Sequence, residues 1–516
     1  MVVLQLFRST VAALLLIAAV PAFADFIVNT DSDADLGSDG ACSLREAIIA
    51  VNTQANYNEC TSLTTGESAV SFAIPPNAGE THVIALSSAL PKVTHIISID
   101  ASVQSGATCT PIPNVRVQIT NPLVLAVDGL TLDFGSDFSS ISGLAISGFS
   151  TTQKAGVLIA SNDVAIGCTI LGTNASGTAA EPNYYGIYLN GQSASIGVAS
   201  ASQWLPNLIS ANSKANIYVD AGGSDSVISA NYIGVDASGV TPLSSSFGIY
   251  ANGVAGLHVG NPGGDGPAEH RRNIIGISSV APTTSVNVEF VNSIDNVLAG
   301  NYIGVAGDGQ TTIPIGSGIA VSVFQAKRTL IGCDGNTQVD NCRNLIANTT
   351  GTDIQNFQGS ENTAIVSNFI GVASDGTTAF SGNANAVGID ILGADTLVAR
   401  NYITTGGPGT GIRLGPNSDE LTPVFLNQTT AGSNGATLDS SGNCLQGNAS
   451  GGVAVNISSN PTVISTDFVA NWWGAADGPA PNGSGDSASS NINYAPFLTA
   501  PSIYCNFDEI FSASFD

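Results

Sequence analysis

The sequence contains few charged and few large side chains. Charged residues make up 10% of its 516 residues, aromatic residues make up 6%, and methionine occurs once. Glycine is abundant, with 58 copies, and the 43% apolar share consists mostly of small and β-branched residues. Such residues suit short flat strands and form poor amphipathic helices, so the composition predicts an all-β protein.

Positive charge is especially scarce. Lysine and arginine together number 13, against 39 aspartate and glutamate residues, which gives a formal net charge of −26. Removal of the leader described below takes away Arg8 and no acid, leaving 12 − 39 = −27. A molecule of this charge is repelled by nucleic acid and by anionic lipid. The charge balance therefore excludes nucleic acid as a partner and suits an extracellular protein that faces cations or neutral glycans, so a polysaccharide or a cell-surface glycan is the expected partner.

The sequence has no long apolar run after residues 1–24. Within that segment Arg8 supplies a positive n-region, and residues 11–20 form a short apolar stretch. Ala22 and Ala24 are small residues at the positions that a signal peptidase reads. We therefore predict a cleaved signal peptide at 1–24 and no membrane span. The mature chain is expected to be a monomer, secreted or on the cell surface, with the periplasm as an alternative.

Cysteine is rare, but its eight copies are even in number, and none has the CxxC spacing of a zinc site. An even count in an exported chain favours disulfides, each worth about 2–4 kcal/mol. Proximity in sequence and the need to hold the C-terminus predict three pairs: Cys42–Cys60, Cys333–Cys342 and Cys444–Cys505. Cys109 and Cys168 are left over.

A motif of asparagine, an aromatic residue, isoleucine and glycine recurs along the chain. It begins at Asn231, Asn301 and Asn368, and a related run begins at Cys168, so the starts are 63, 70 and 67 residues apart. Each copy continues into a turn closed by glycine, and further short runs recur between the copies. Short runs with alternating apolar residues indicate strands rather than helices.

This repeat predicts a right-handed parallel β-helix. Equivalent runs about 22–25 residues apart would each be one coil, so a unit of about 65–70 residues would hold three coils. The chain from about 80 to 470 would then form roughly sixteen coils and a rod about 75 Å long. Asparagine and glycine suit the corners because they tolerate positive φ, and stacked asparagine side chains can hydrogen-bond along the rod. The alternative, a β-propeller, requires antiparallel hairpins with two-residue turns.

The open ends of a solenoid need caps, and the sequence offers one at each end. Ser43 followed by Glu46 predicts a helix start. The apolar positions after it share one helical face: Leu44, Ala47, Ile48 and Val51. At the other end Trp472 and Trp473 are interpreted as closing the core, with stacking on sugar rings as the alternative. The predicted organisation has three parts after the leader: a cap region at 25–80, the β-helix at 81–470, and a closing coil with an acidic tail at 471–516.

Residues 42–47, with the sequence CSLREA, follow a DFIVNT run and an acidic glycine-containing loop at 31–40. Together with the NYIG repeats and the Asn-Trp-Trp-Gly segment at 471–474, they resemble the CSLREA-domain secreted bacterial β-helix proteins. The resemblance touches most of residues 25–500. It implies a right-handed parallel β-helix in the envelope or outside the cell, and it implies no particular reaction.

Acidic residues recur just before the asparagine strands: Asp163, Asp225, Asp295, Glu361 and Asp395. A column of carboxylates can bind Ca²⁺ or act on a sugar. Most of these acids would lie three coils, or about 14 Å, apart, which is too far for a glycosidase pair. Glu361 and Asp395 are 34 residues apart and form the pair that one coil would bring together. The alternative is that the acids shape corner turns, and no cofactor is required.

Arg272 lies beside His270 in the densest charged cluster of the chain, where acid–base chemistry is one interpretation. However, the Arg-Asn pair at 272–273 recurs at 343–344, so a corner role within the repeat is the other interpretation. The candidate catalytic residues are therefore Glu361, Asp395 and Arg272.

Two functions are compatible with this sequence. The first is an exported, non-catalytic β-helix that serves surface adhesion or glycan binding. The second is a polysaccharide lyase or glycoside hydrolase of the pectin-lyase-like type. An enzyme should carry one cluster of acids and a base outside the repeat, whereas a binding rod should present a uniform face. Because the charged residues mostly recur with the repeat, the sequence favours the first function.

Overall fold

A computed structural model describes residues 26–505, so the predicted signal peptide and the tail beyond residue 505 lie outside the described residues. Within this range the following positions are also not described: 62–67, 77–78, 200–202, 262, 264–266, 279–284, 316–317, 334–338, 349, 383–385, 394, 416–429, 432–436, 439–441, 456–465, 491 and 503–504. The described residues contain no helix that is long and apolar enough to cross a membrane.

Three long sheets, in which all neighbouring strands are parallel, form a right-handed parallel β-helix. Sheet 1 has twelve strands: Phe26–Val28, Ser68–Phe72, Ile97–Asp100, Ser140–Ser142, Ala165–Gly167, Ser195–Ile196, Val227–Ile228, His258–Val259, Val297–Leu298, Leu330–Gly332, Ala364–Val366 and Leu397–Ala399. Sheet 2 has twelve strands: His82–Ala85, Val117–Thr120, Leu144–Ser147, Ile170–Leu171, Leu208–Ile209, Tyr232–Ile233, Ile274–Ile275, Tyr302–Ile303, Leu345–Ile346, Phe369–Ile370, Tyr402–Ile403 and Cys444–Leu445. Sheet 3 has eleven strands: Leu130–Leu132, Ala155–Ile159, Tyr185–Leu189, Ala215–Val219, Phe247–Asn252, Val286–Val291, Ile319–Phe324, Thr352–Asn356, Val387–Ile391, Thr410–Leu414 and Gly451–Val455.

Short strands and helices lie in the connections between these strands. Four two-stranded pairs are described: Val198–Ala199 with Trp204–Leu205, Leu243–Ser244 with Ile277–Ser278, Thr430–Ala431 with Thr437–Leu438, and Thr466–Asp467 with Ile492–Asn493. Three α-helices and one 3₁₀ turn are described: α1 at Leu44–Thr53, α2 at Ala268–Arg271, α3 at Val339–Cys342, and the turn at Ala221–Gly223. The connections therefore carry little regular structure, and the sheets carry the fold.

Each coil passes through sheets 1, 2 and 3 in that order, and alternate residues of each strand enter the core. In sheet 2 the second residue of each short strand points inward, so Ile233, Ile275 and Ile303 are stacked in register and have no exposed surface. Ile217 and Ile249 form the equivalent stack in sheet 3. A continuous column of branched apolar side chains fills the rod, as the alternation in the sequence predicts.

The structure corrects the predicted number of coils. The strands after Asn231 and Asn301 are separated by a single sheet-2 strand, Ile274–Ile275, so the unit of about 70 residues holds two coils and not three. Twelve sheet-2 strands at about 4.8 Å span about 53 Å, which is shorter than the predicted rod of about 75 Å. The prediction was wrong because the coils are unequal in length. Successive ladder asparagines lie as few as 24 and as many as 43 residues apart.

A ladder of buried asparagines lines the corner between sheets 1 and 2. Asn301 shows the pattern: its Oδ1 accepts from Asn273 Nδ2 at 2.8 Å, and its Nδ2 donates to Asn344 Oδ1 at 3.1 Å and to the Val259 carbonyl at 2.9 Å. The ladder runs unbroken through nine residues, none with exposed surface: Asn207, Asn231, Asn273, Asn301, Asn344, Asn368, Asn401, Asn443 and Asn471. Each amide therefore satisfies its own polar atoms and fixes the corner of the next coil.

The N-terminal cap forms as predicted. Helix α1 begins after Ser43, whose hydroxyl accepts from the Glu46 N–H while the Glu46 carboxylate accepts from the Ser43 N–H. Its apolar face is buried through the predicted positions: Leu44, Ala47, Ile48 and Val51. The helix packs against Phe26–Val28, the first strand of sheet 1. The predicted cap region at 25–80 therefore also supplies the first two strands of that sheet.

Arg45, in the middle of the CSLREA run, forms a buried ion pair. Its guanidinium pairs with Asp33 at 2.8 Å, and the two side chains are 10% and 4% exposed. The same guanidinium donates to the carbonyls of Ser88 and Ala89, and Asp33 accepts from the Ser87 N–H at 2.7 Å. This buried network fastens the helix and the acidic loop to the coil that follows them.

The structure forms all three predicted disulfides, Cys42–Cys60, Cys333–Cys342 and Cys444–Cys505. The two remaining cysteines, Cys109 and Cys168, form a fourth. At the C-terminal end Trp473 has no exposed surface and packs edge-on against Phe468, while the Trp472 indole N–H donates to Gln446. The tryptophan pair therefore closes the core, which is the role that the sequence analysis preferred over stacking on sugar rings.

Removing one ladder amide should destabilise the rod strongly. Asn301→Ala deprives at least two buried partners of a hydrogen bond, at about 1–3 kcal/mol each, so we expect a loss of roughly 3 kcal/mol in unfolding free energy. Asn190→Ala, at an exposed asparagine, should change it by less than about 0.5 kcal/mol. Chemical denaturation with the disulfides intact measures both. Equal effects of the two substitutions would show that the ladder does not stabilise the fold.

The Arg45–Asp33 pair should behave as a buried pair. Arg45→Met leaves the Asp33 carboxylate buried and unpaired, which should cost about 3–5 kcal/mol. Lys92→Met breaks the exposed Lys92–Asp133 pair and should cost at most about 1 kcal/mol. Adding Asp33→Leu to Arg45→Met should recover part of the loss in the same denaturation assay. If the double variant is less stable than Arg45→Met alone, the unpaired charge is not the cause.

Candidate functional site

The acids that recur before the strands occupy the corner between sheets 3 and 1. Asp163, Asp225, Asp295 and Asp395 have φ values of 56°, 58°, 58° and 50°, in the left-handed region where aspartate is tolerated. Asp163 and Asp225 lie two coils apart, with the strand Ser195–Ile196 between them, and not three coils apart as predicted. Their backbone geometry accounts for the recurrence of these acids as corner residues.

The predicted pair Glu361 and Asp395 lies on neighbouring coils of this corner, before the adjacent strands Ala364–Val366 and Leu397–Ala399. Glu361 pairs with Lys327 at 3.1 Å, and both side chains are about half exposed. Neither acid lines either of the two clefts described below. Arg272, the third candidate, lies at a different corner, so the structure does not bring the three together.

Arg272 lies at the corner between sheets 1 and 2, directly before Asn273 of the ladder. Its guanidinium stacks on the Tyr302 ring of the next coil, 4.1 Å from the ring centroid. Arg343 repeats the arrangement two coils further on and stacks 3.9 Å from the centroid of Phe369. The ladder fixes both positions because it places the arginine of one coil beside the outward residue of the following strand.

The two stacked arginines line one cleft. It has a volume of about 500 Å³, within the range of small-molecule sites. Its wall includes these residues: Ala268, Arg272, Gly300, Tyr302, Gln310, Asn341, Arg343, Leu345, Phe369, Ser374 and Asp375. We call this the arginine cleft. Apolar rings form its floor, and guanidinium, amide and hydroxyl groups form its rim.

Arg272 carries a positive charge with no ion pair among the described residues, and its Nε–H meets no acceptor there. The side chain is half-buried. Six other cations of the described residues form ion pairs: Arg45, Lys92, Lys154, Lys327, Arg328 and Arg413. Guanidinium groups bind carboxylates through two parallel hydrogen bonds. The cleft thus offers an anion-binding group that the fold itself does not use.

The carboxylate among the lining residues is not suited to proton transfer. Asp375 accepts from the N–H groups of Thr377 and Thr378 and from the Thr378 hydroxyl. Burial raises the pKa of Asp375, but these hydrogen bonds outweigh burial and lower its pKa overall. Burial raises the pKa of Tyr302 despite the nearby Arg272. The carboxyl is therefore ionised and the phenol protonated near neutral pH, which suits binding better than acid–base catalysis.

A smaller cleft of about 150 Å³ adjoins this site and shares Arg272. Trp204 and His270 stack in its wall with ring centroids 4.1 Å apart and planes at 8°. The face of the Trp204 ring toward His270 is therefore covered. Glu269 also lines the smaller cleft, and Arg272 is the residue that the two clefts share.

The outer face of sheet 3 is the second surface with a continuous pattern. Its outward positions, one per coil, form the column Tyr188, Tyr218, Tyr250, Glu289, Ser322, Gln355, Asp390 and Arg413. The tyrosine rings stack on each other at about 5 Å, and Tyr188 donates to Asp220 at 2.6 Å. Arg413 pairs with Asp390 at 2.7 Å. Most of this column is satisfied by its own neighbours.

Glu289 is the exception within that column. Burial raises its pKa, although the Ser322 hydroxyl donates to it at 3.0 Å and Lys214 lies nearby. A second carboxyl of the column, Asp390, lies three coils away, about 14 Å along the rod, and is paired. The carboxyls of a glycosidase lie about 5–10 Å apart, so Glu289 does not form such a pair within this column.

Among the described residues no three histidine, cysteine, aspartate or glutamate side chains converge as a metal site requires. Sequence reasoning found Arg272 and its copy at 343–344 but missed Tyr302 and Phe369 as their partners. The aromatic partner is the outward-pointing residue between asparagine and isoleucine in the NYIG-like motif of the next coil. Assigning each arginine to its partner requires the order of the coils, and the predicted coil count was wrong.

No protein-family model matches this sequence, and no curated protein matches it. Among solved structures, a mutant of the periplasmic alginate epimerase AlgG is 11% identical, with 75% of this chain and 74% of that chain covered and a TM-score of 0.36. The Dettilon tailspike protein is 12% identical, with coverages of 86% and 68% and a TM-score of 0.37. The A-module of the Azotobacter vinelandii mannuronan C-5 epimerase AlgE6 is 11% identical, with coverages of 84% and 91% and a TM-score of 0.30. Similarities this low carry no argument about the activity of this chain.

The pH dependence of stability should report on Glu289. In the folded protein, burial raises the pKa of the Glu289 carboxyl above its value of about 4.3 in the unfolded chain. The stability that this carboxyl contributes is therefore fully present below about pH 4.3 and is lost as pH rises from there to the pKa of the folded protein. Glu289→Gln removes this loss, so the variant should gain stability over the wild type as pH rises through that window. Ser322→Ala removes a hydrogen bond that lowers the pKa and should extend the loss to higher pH. Urea midpoints between pH 4 and pH 8 test this, and a difference between Glu289→Gln and wild type that is constant with pH would contradict it.

Proposed function

We propose that this chain is an exported, non-catalytic β-helix protein that binds acidic glycans at the arginine cleft, in surface adhesion or an extracellular matrix. The observation that carries the proposal is Arg272, a half-buried cation stacked on Tyr302 with no counter-ion among the described residues. Four disulfides and the predicted leader support an oxidising location outside the cytoplasm.

The chemistry of the cleft suggests the class of ligand. A carboxylate would supply the acceptors that the Arg272 guanidinium lacks. Gln310, Asn341 and Ser374 on the rim offer donors and acceptors for sugar hydroxyls. The net charge of −26 opposes every polyanion, and it opposes duplex nucleic acid, with a negative charge about every 1.7 Å, more strongly than a polymer that carries one carboxylate per sugar.

The non-catalytic assignment rests on the protonation states in the cleft. Despite burial, hydrogen bonds within its own turn lower the pKa of the Asp375 carboxyl, which lines the cleft. Burial raises the pKa of the Tyr302 phenol, which also lines it. The predicted catalytic acids Glu361 and Asp395 lie at another corner of the coil. An acid and a base near the bound sugar are the minimum for a hydrolase or lyase of the pectin-lyase-like type.

Binding should depend on Arg272 and on ligand charge. We expect the wild type to bind polygalacturonate and not dextran, and Arg272→Gln to lose about tenfold or more in affinity, since a charge-assisted hydrogen bond is worth about 1.5–3 kcal/mol. Isothermal titration calorimetry measures both. Arg328→Gln is the matched control, because this exposed arginine pairs with Asp295 at another corner and its loss removes the same charge.

The outcome that would overturn the proposal is equal binding of acidic and neutral glycans, or unchanged affinity in Arg272→Gln. The same samples should be assayed for new reducing ends and for unsaturated uronates. Turnover that disappears in Arg272→Gln, Glu361→Gln or Asp395→Asn would replace the binding function with an enzymatic one.

A further inference from the structure

The smaller cleft, which shares Arg272 with the arginine cleft, lies on the outer face of sheet 2. Tyr232 and Ile274 line it as the paired outward residues of two neighbouring strands. Trp204 reaches it from a short antiparallel strand pair, and His270 reaches it from helix α2. Two strands of the sheet, a strand pair and a helix therefore surround this cleft.

The smaller cleft suits a substituent rather than a whole ligand. Its volume is about 150 Å³, below the range of about 300–1,000 Å³ that is usual for small-molecule sites. Much of its wall is apolar or small: Trp204, Ala230, Tyr232, Ile274 and Gly307. The arginine cleft beside it has about 500 Å³. A sugar ring therefore fits the larger cleft, with one small, partly apolar substituent in the smaller cleft.

The polar groups of the smaller cleft narrow the chemistry of that substituent. Glu269 lines it with an exposed carboxylate, which accepts hydrogen bonds and repels a second anion. Trp204 also lines it, and its Nε1–H is buried and meets no acceptor among the described residues. An amide supplies an N–H for the first group and a carbonyl oxygen for the second. An acetyl ester has the same methyl and carbonyl but no N–H.

We propose that the acidic sugar bound by this chain also carries an acetamido group, with its carboxylate on Arg272 and its acetamido group in the smaller cleft. This inference rests on the proposed glycan-binding function. N-acetylated aminouronic acids and N-acetylated nonulosonic acids share this chemistry, since both carry the carboxylate and the acetamido group on opposite carbons of the ring. The methyl group packs on the apolar wall, and the amide bonds to Glu269 and Trp204.

Four methyl glycosides test the inference on the full chain with its disulfides intact: N-acetylglucosaminuronic acid, glucuronic acid, N-acetylglucosamine and glucose. We expect the first to bind about tenfold more tightly than the second, because one methyl group is buried and one hydrogen bond is gained. The two neutral sugars should bind more weakly than either acid, because neither offers a carboxylate to Arg272. Titration calorimetry gives the four affinities.

A second pair of sugars distinguishes the two sources of this chemistry. N-acetylneuraminic acid is compared with the analogue that has a hydroxyl in place of the acetamido group. A gain of about tenfold from the acetamido group in either pair supports the proposal, and the pair that shows it identifies the class of sugar.

Filling the smaller cleft should remove this gain. A Cβ atom at Gly307 meets the Ile274 Cδ1 atom at 3.9 Å, an ordinary contact, so Gly307→Leu fits the backbone and occupies the cleft. Gly263→Leu is the control, because Gly263 is exposed, lines neither cleft, and a Cβ atom there has no neighbour within 4 Å among the described residues. It should keep the gain. Thermal melting confirms that both variants are folded.

Glu269→Ala should shift the two acidic sugars in opposite directions. It removes the acceptor of the acetamido N–H and so reduces the gain, and it removes a nearby negative charge and so strengthens the binding of glucuronic acid. A loss of folding would weaken both sugars alike.

Two results would overturn the inference and leave the proposed function standing. One is binding of polygalacturonate through Arg272 with no preference for the acetamido sugar of either pair. The other is a full preference that persists in Gly307→Leu. If neither polygalacturonate nor any of the acidic sugars binds, the proposed function itself is wrong.

Discussion

The asparagine ladder is the constraint on which the rest of the molecule depends. Each amide bonds to the next along nine successive coils, so each of these coils must return to the same corner with the same residue in place. Buried amides are costly unless all their polar atoms are satisfied, and the ladder satisfies them only in this one register. It therefore sets the register of the sheets, while the apolar column beside it supplies most of the burial.

A fixed corner allows the connections to vary without disturbing the sheets. Coils of 24 and of 43 residues stack with equal regularity. The longer connections before Asn273 and Asn344 are those that hold helices α2 and α3 and deliver Arg272 and Arg343 to the arginine cleft. The candidate site is thus built on insertions into the coil. This explains why its charged residues recur with the repeat, as the sequence shows, and still line a cleft.

Most of the fold follows from the sequence, because its determinants are local. Ser43 and Glu46 predict the helix start, the NYIG runs predict the strands, and cysteine spacing predicts three disulfides. The coil count could not be obtained in this way, because the sequence gives a mean spacing and the coils are unequal. The arginine–aromatic stacks join residues of different coils, such as Arg272 and Tyr302, so they become visible only once the order of coils is known.

The distribution of disulfides has a mechanical consequence. A β-helix under tension separates most easily at its outermost coils, because a terminal coil bonds to a neighbour on one side only. Here Cys42–Cys60 secures the first cap and Cys444–Cys505 secures the last strand of sheet 2. At the C-terminal end the closing residues are therefore held to the last strand of sheet 2 by a covalent bond, so that this end resists peeling more than hydrogen bonds alone would allow.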